Sequence, residues 1–181
     1  MTIIGAGYIG LEFAGIYGFF GSEVTALNTH SIILPREDNI DEIINILEKR
    51  NVKFINNVSI NEIKEENKIA KLIYTKDNKD YKLESDIILL TAGRKANIDN
   101  LKLENANLEL DAREFIKVNE ILKTSTENIW ALGDVNGGTQ FTYISLDDYR
   151  IVVNHLYGDK TRKTTDRQNV PNALFFRSWF F

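Results

Sequence analysis

Six residues near the amino terminus constrain the fold more than any others. Gly5-Ala6-Gly7-Tyr8-Ile9-Gly10 joins the short β-rich run Thr2–Ile4 to an apolar run from Tyr8 to Phe20. A turn from strand to helix on glycines at this spacing meets three separate steric demands. Gly5 permits the tight turn, Gly7 leaves the backbone open to a ligand, and Gly10 lets the helix lie against the strand. The helix start then offers unpaired N–H groups and the positive end of its dipole. A bare G-x-G-x-x-G is also compatible with a purely structural turn. The strand before it, with the helix and second strand after it, favours a dinucleotide pyrophosphate.

The following residues extend the pattern. Glu23–Leu27 reads as a second buried strand, and Asn28–Glu37 as a loop containing Pro35. Asp38 is an N-cap candidate for a helix that puts Ile40, Ile43, Ile44 and Leu47 on one face. Val52–Ile55 reads as a third strand. Strand and helix in alternation predict a parallel sheet with right-handed crossovers. Residues 58–84 alternate apolar and polar between polar turns, which predicts an antiparallel meander. Ile87–Leu90 and Ile129–Leu132 read as buried strands, Phe115–Val118 as a short strand, and Ile144–Tyr157 as a helix. Residues 161–169 read as a polar linker. The expected class is α/β: a Rossmann-like parallel sheet with an antiparallel meander.

Composition removes several function classes. The 181 residues carry 22 Lys and Arg against 26 Asp and Glu, a net charge of -4, and no basic block. Nucleic acid is therefore not an expected partner. There is no cysteine, and the two histidines, His30 and His155, are far apart. No thiolate chemistry and no metal site is expected within these residues. The apolar start has no Lys or Arg before Arg36, and Glu12 and several glycines interrupt it. It reads as a buried helix rather than a targeting or membrane segment, so the expected location is cytoplasmic.

Three further features bear on ligands. The end of the second strand holds Asn28, where a dinucleotide site usually has an acid for the ribose hydroxyls. Asn28 can serve a hydroxyl or simply a turn, and no arginine adjoins it to grip a 2′-phosphate. That balance leans toward NADH over NADPH. Thr91-Ala92-Gly93-Arg94 closes the strand Ile87–Leu90 with small residues that suit a cofactor passage, a crossover or a tight exit turn. Gly133-Asp134 follows Ile129–Leu132, and its acid can accept from sugar hydroxyls or cap a turn.

These motifs, in this order, resemble the pyridine nucleotide–disulfide oxidoreductases, the FAD-dependent group that includes lipoamide dehydrogenase and mercuric reductase. GAGYIGLEFA resembles their NAD(P)H site. TAGRKAN resembles their A-T-G-R-x-P-N crossover, with Ala96 in place of the proline, and TSTENIWALGD resembles their second FAD motif. LNTHSIILPRED and GDVNGGTQFTYISLDDYRIV are similar to the reactive-chlorine-resistance, copper(II)-reducing branch. The resemblance implies that Gly5, Ala6, Gly7, Tyr8, Ile9 and Gly10 cradle the dinucleotide, with Asn28 at its ribose. It places Glu12 at the nicotinamide side, where the alternative is a structural salt bridge. It implies Gly93 at the crossover, Gly133 and Asp134 at the flavin ribityl chain, and the backbone of Phe141 and Thr142 facing the flavin pyrimidine.

The same resemblance implies an NAD(P)H-binding domain at 1–96 and the C-terminal part of an FAD-binding domain at 97–160. Residues 161–181 would be a linker and the start of a dimerisation domain, the full-length family being homodimeric. The family's first FAD motif, its redox cysteine pair and its C-terminal histidine base have no counterpart in this sequence. The expected reading is a partial flavoprotein oxidoreductase with no catalytic residue of its own and an incomplete FAD site. The alternatives are a non-catalytic NAD(H)-binding module, a decayed fragment, and a subunit completed by another chain. The aromatic ending RSWFF is expected to mark a truncation or a shifted frame rather than an evolved terminus, the alternative being a strand that pairs in a dimer interface.

Overall fold

The computed structural model describes residues 1–35, 37–168, 170–171 and 173–175. Arg36 and the RSWFF ending lie outside the described residues. Two compact units are present, Met1–Gly93 with residues 173–175, and Arg94–Pro171.

The first unit runs β1 (Thr2–Ile4), α1 (Tyr8–Phe19), β2 (Val24–Asn28), α2 (Ile40–Glu48) and β3 (Val52–Asn56). The meander β4 (Ser59–Glu66), β5 (Ile69–Lys76) and β6 (Lys79–Ser85) follows, then β7 (Ile88–Leu90). The parallel sheet has the order β3-β2-β1-β7, and the antiparallel sheet the order β4-β5-β6. Strand pleating sorts the apolar side chains into two layers. Ile3, Val24 and Ala26 face Leu11 and Ala14 of α1 and Leu47 of α2. Ile4 and Leu27, one residue on, face Leu72 and Tyr74 of the meander.

The meander turns are two-residue type I′ hairpins. Asn67 and Lys68 have φ of 55° and 65°, and Asp77 and Asn78 have 50° and 58°. Positive φ at both central residues matches the strand twist, and Asn and Asp tolerate it best after glycine. Tyr74 and Tyr81, opposite one another across the ladder, stack at 5.3 Å.

Three expectations need correction here. Helix α1 is not buried all round: Gly10, Leu11, Ala14, Gly15 and Gly18 are buried, whereas Ile9, Phe13, Ile16 and Phe20 are exposed. Small residues form the inward face because the helix backbone must approach the sheet closely. A Cβ on Gly18 would come within 2.7 Å of the Arg50 carbonyl. Strand β7 is the sheet edge rather than a buried strand, and Leu90 is 65% exposed. Helix α2 begins at Ile40 after Asn39, not on an Asp38 cap.

In the second unit α3 (Thr142–Tyr157) packs Ile151 and Val152 against Leu122, Val118, Trp130 and Leu132. The strands expected at Phe115–Val118 and Ile129–Leu132 form only single bridges, Leu110 to Ile116 and Lys123 to Trp130. Phe115, Ile116 and Ala131 are nevertheless buried. Their backbone groups bond into irregular loops, as with Ile116 N–H to Val135 C=O at 3.0 Å, so burial was readable from apolarity and ladder pairing was not. Among the described residues no helix is long and apolar enough to cross a membrane.

Candidate functional site

The glycine loop sits where β1 runs into α1, and its three glycines do different work. Gly5 has φ +104°, and a Cβ there would lie 2.5 Å from the Thr91 carbonyl. A Cβ on Gly10 would lie 2.0 Å from the Gly5 carbonyl. Both positions are closed by the chain's own backbone. Gly7 is the opposite case: a Cβ there would meet nothing within 4 Å. The space over Gly7 is open, at the N-cap of α1, where the first intrahelical bond is Leu11 N–H to Gly7 C=O at 3.0 Å. The N–H groups ahead of Leu11 have no intrahelical acceptor and suit an anionic ligand. Ala6 is buried beneath the loop and Ile9 is exposed. The Tyr8 hydroxyl donates to the Glu37 carboxylate.

Thr91 locks this loop from below. Its hydroxyl oxygen lies 2.7 Å from the Gly5 carbonyl and 3.1 Å from that of Ile4, and its N–H donates to Ile4 C=O at 2.8 Å. The small residue there is legible in the sequence; the hydroxyl clamp is not, because its acceptors lie on a distant strand. Gly93, two residues on, has φ +120° and open space around it.

Asn28 is 6% exposed, and its amide serves the loop after β2. Its Nδ2 donates to the carbonyls of His30 at 3.0 Å and Ile32 at 3.3 Å, while Oδ1 accepts from the His30 N–H at 3.4 Å. Glu12 is half-buried on α1, and its Oε1 accepts the Phe175 N–H at 2.8 Å. Among the described residues it has no ion pair, so its partner is backbone rather than a salt bridge.

The second unit brings Gly133, Asp134, Phe141 and Thr142 together around Arg94. Gly133 opens a short 3-10 turn, Gly133–Asn136, with φ +73°, and a Cβ there would lie 2.9 Å from Ser145 Oγ in the first turns of α3. Arg94 Nη1 donates to Asp134 at 2.7 Å, and Nη2 to the Gln140 carbonyl at 3.1 Å. Arg94 thus ties the Gly-Asp turn to the residue before the α3 cap. Phe141 caps α3 with its carbonyl, accepting from Ile144 at 3.0 Å and Ser145 at 3.2 Å. Its ring stacks on Tyr143 at 5.4 Å, and Thr142 is exposed at the helix start. Two residues of this site are not among those expected from the sequence: Arg94 as the partner of Asp134, and Asp148, a buried acid of α3 whose Oδ2 accepts the Gly133 N–H at 2.7 Å. A signal for it existed: Asp148 shares the apolar stripe of Ile144, Ile151 and Val152.

Chemically, the first unit fits a dinucleotide, since Gly7 leaves a backbone cradle that a side chain would fill. The second offers one acid and a helix start, which suit part of a sugar-bearing cofactor. The sequence holds a single G-x-G-x-x-G and no cysteine. Among the described residues there is no cluster fit to hold a metal ion.

A family model described as pyridine nucleotide-disulphide oxidoreductase matches residues 1–149. The chain is 43% identical over 177 residues to the probable pyridine nucleotide-disulfide oxidoreductase RclA of Escherichia coli K12, covering 97% of this chain and 39% of that protein. It is 30% identical to a mercuric reductase of Lysinibacillus sphaericus, covering 97% of this chain and 32% of the relative. A solved structure, the Cu(II) complex of HOCl-induced flavoprotein disulfide reductase RclA from Escherichia coli, matches with a TM-score of 0.88 at 42% identity. It covers 97% of this chain and 39% of that one. The chain thus spans well under half the length of these relatives.

Proposed function

The chain belongs to the pyridine nucleotide-disulphide oxidoreductase family, and from that premise we propose that it carries the NAD(P)H site of a flavoprotein oxidoreductase, with NADH preferred, and one portion of the FAD site. The observation that carries this reading is Gly7: open space at a helix start, between two glycines that the chain itself fills. Gly5, Gly7 and Gly10, with Ala6, Tyr8 and Ile9, cradle the pyrophosphate. Asn28 shapes the loop beside the adenosine ribose, and Glu12 stands on the nicotinamide side. In this reading residues 1–96 are the NAD(P)H domain, with Gly93 at the crossover that ends it, and 97–160 the FAD-domain portion, where Gly133, Asp134 and the backbone of Phe141 and Thr142 serve the flavin. The chemistry supplied by FAD held there would be hydride acceptance from the reduced nicotinamide and electron transfer onward to a disulfide or metal ion. The residues here bind and orient; the whole protein would be a cytoplasmic homodimer.

A second reading, a nucleotide-binding module without turnover, is favoured by the absence of cysteine and by Asp134 already being paired with Arg94. Titration with NADH followed by its fluorescence, with NADPH in parallel and FAD uptake followed by absorbance, tests both. Saturable NADH binding with FAD uptake supports the oxidoreductase portion, and NADH binding without FAD uptake supports the module. A folded sample that binds neither nucleotide overturns both.

A further inference from the structure

Asp148 is the one buried acid among the described residues, 1% exposed, and nothing in the nucleotide chemistry above uses it. An acid on the apolar face of a helix is costly unless its charge is met. Here both carboxylate oxygens are served by named donors. Oδ2 accepts the Gly133 N–H at 2.7 Å and Asn136 Nδ2 at 3.1 Å, and Oδ1 accepts from Arg167. Arg167, 18% exposed at its side chain, also donates from Nε to Asp147 at 2.8 Å. The two carboxylates hold the guanidinium above its ordinary range. Desolvation, the largest single influence, acts the other way, and their hydrogen bonds together outweigh it.

A buried pair that is fully partnered fixes geometry more than it adds stability. The geometry fixed here is a turn. Gly133 is its first residue and Asn136 its last, so Asp148 grips both ends of the segment that carries Asp134. Asn136 is fixed further by donating to the Ala131 carbonyl at 3.1 Å. Asp134, between the two grips, is left facing outward with a side chain 47% exposed.

We propose that Asp148 and Arg167 are positioning residues: the pair locks the Gly133–Asn136 turn and so aims the Asp134 carboxylate at ligand hydroxyls. Arg167 lies beyond α3, so the aim of Asp134 is coupled to the path of the chain leaving that helix. The ligand half of the proposal rests on the reading of Asp134 as flavin-facing; the turn half does not.

The test uses the full chain with Arg167→Met, Arg167→Lys and Asp148→Asn. Amide exchange by NMR is read at Gly133, with Ile151 on the same helix as the internal control, and FAD affinity is read by flavin fluorescence. Gly133 exchange rises about tenfold in Arg167→Met and Asp148→Asn, the worth of one charge-assisted hydrogen bond. Ile151 exchange stays at the wild-type rate, FAD affinity falls by a similar factor, and Arg167→Lys recovers part of both. Wild-type exchange at Gly133 in the folded variants overturns the proposal. So does an equal rise at Ile151, which marks general loosening. If the wild-type chain takes up no FAD, the flavin reading fails on its own, and Gly133 exchange still decides the turn.

Discussion

The glycine loop of the first unit and the Gly133-Asp134 turn of the second have the same local plan: backbone with a positive-φ glycine leads into a helix start. They are completed differently. The first is held from beneath by backbone contact and the Thr91 hydroxyl, and its ligand face, at Gly7, is left open. The second is held by charged side chains, with Gly133 bonded to Asp148 and Asp134 to Arg94. A site closed by backbone sterics is preformed and has no internal competitor. A site closed by ion pairs is partly occupied by its own chain, and a ligand at Asp134 shares that carboxylate with Arg94.

The largest break in this comparison comes from Gly10→Ala. Its Cβ would meet the Gly5 carbonyl at 2.0 Å, backbone that cannot swing aside. Overpacking of this kind costs about 1–3 kcal/mol, and a thermal melt beside an NADH titration should show lower stability and lost binding together. Gly7→Ser should separate the two. Serine is a better N-cap than glycine, so stability holds or rises by a few tenths of a kcal/mol. Its side chain fills the open cradle, so NADH affinity falls about tenfold, or roughly 1.4 kcal/mol. Equal affinity of Gly7→Ser and the parent would move the pyrophosphate away from this loop.

Smaller effects sharpen the contrast. Thr91→Val keeps the shape and removes the hydroxyl clamp, which should cost about 1 kcal/mol in urea denaturation. Arg94→Met breaks a pair whose side chains are 48% and 47% exposed. Solvent screening limits the stability change to about 0.5 kcal/mol, so a much larger loss would show that the second site is more rigid than its exposure implies.

The smallest effect is a pH dependence at Asp111. Hydrogen bonding from the Phe115 N–H, with a further bond from Arg113, depresses this carboxyl below its usual range against the cost of desolvation. A depressed group contributes stability that is fully present above the unfolded value, about 3.9. That contribution is lost as pH falls through the folded value. Asp111→Asn should flatten this acid limb, read by NMR titration of the Phe115 amide.

How much was readable varies with the kind of force involved. The alternation of residues 58–84 specified the meander because period-2 burial and I′ turn residues act locally. The three glycines specified strand, loop and helix for the same reason. Apolarity misled at α1, since it does not say that the face of Gly10, Ala14 and Gly18 turns inward while Phe13 and Ile16 turn out. It misled again at Phe115–Val118 and Ile129–Leu132, where burial came without a sheet ladder.

The sequence by itself determined the family, the α/β class and the order of elements over residues 1–90, because glycine spacing and hydrophobic period are properties of neighbours along the chain. Tertiary structure alone decided which glycine is open, that Asn28 spends its amide on its own loop, and that Thr91 clamps Gly5 across 86 positions. It alone gave Asp148 three donors, one of them Arg167 from beyond the helix. Those outcomes depend on which distant groups arrive within hydrogen-bond reach, and no local pattern encodes that distance.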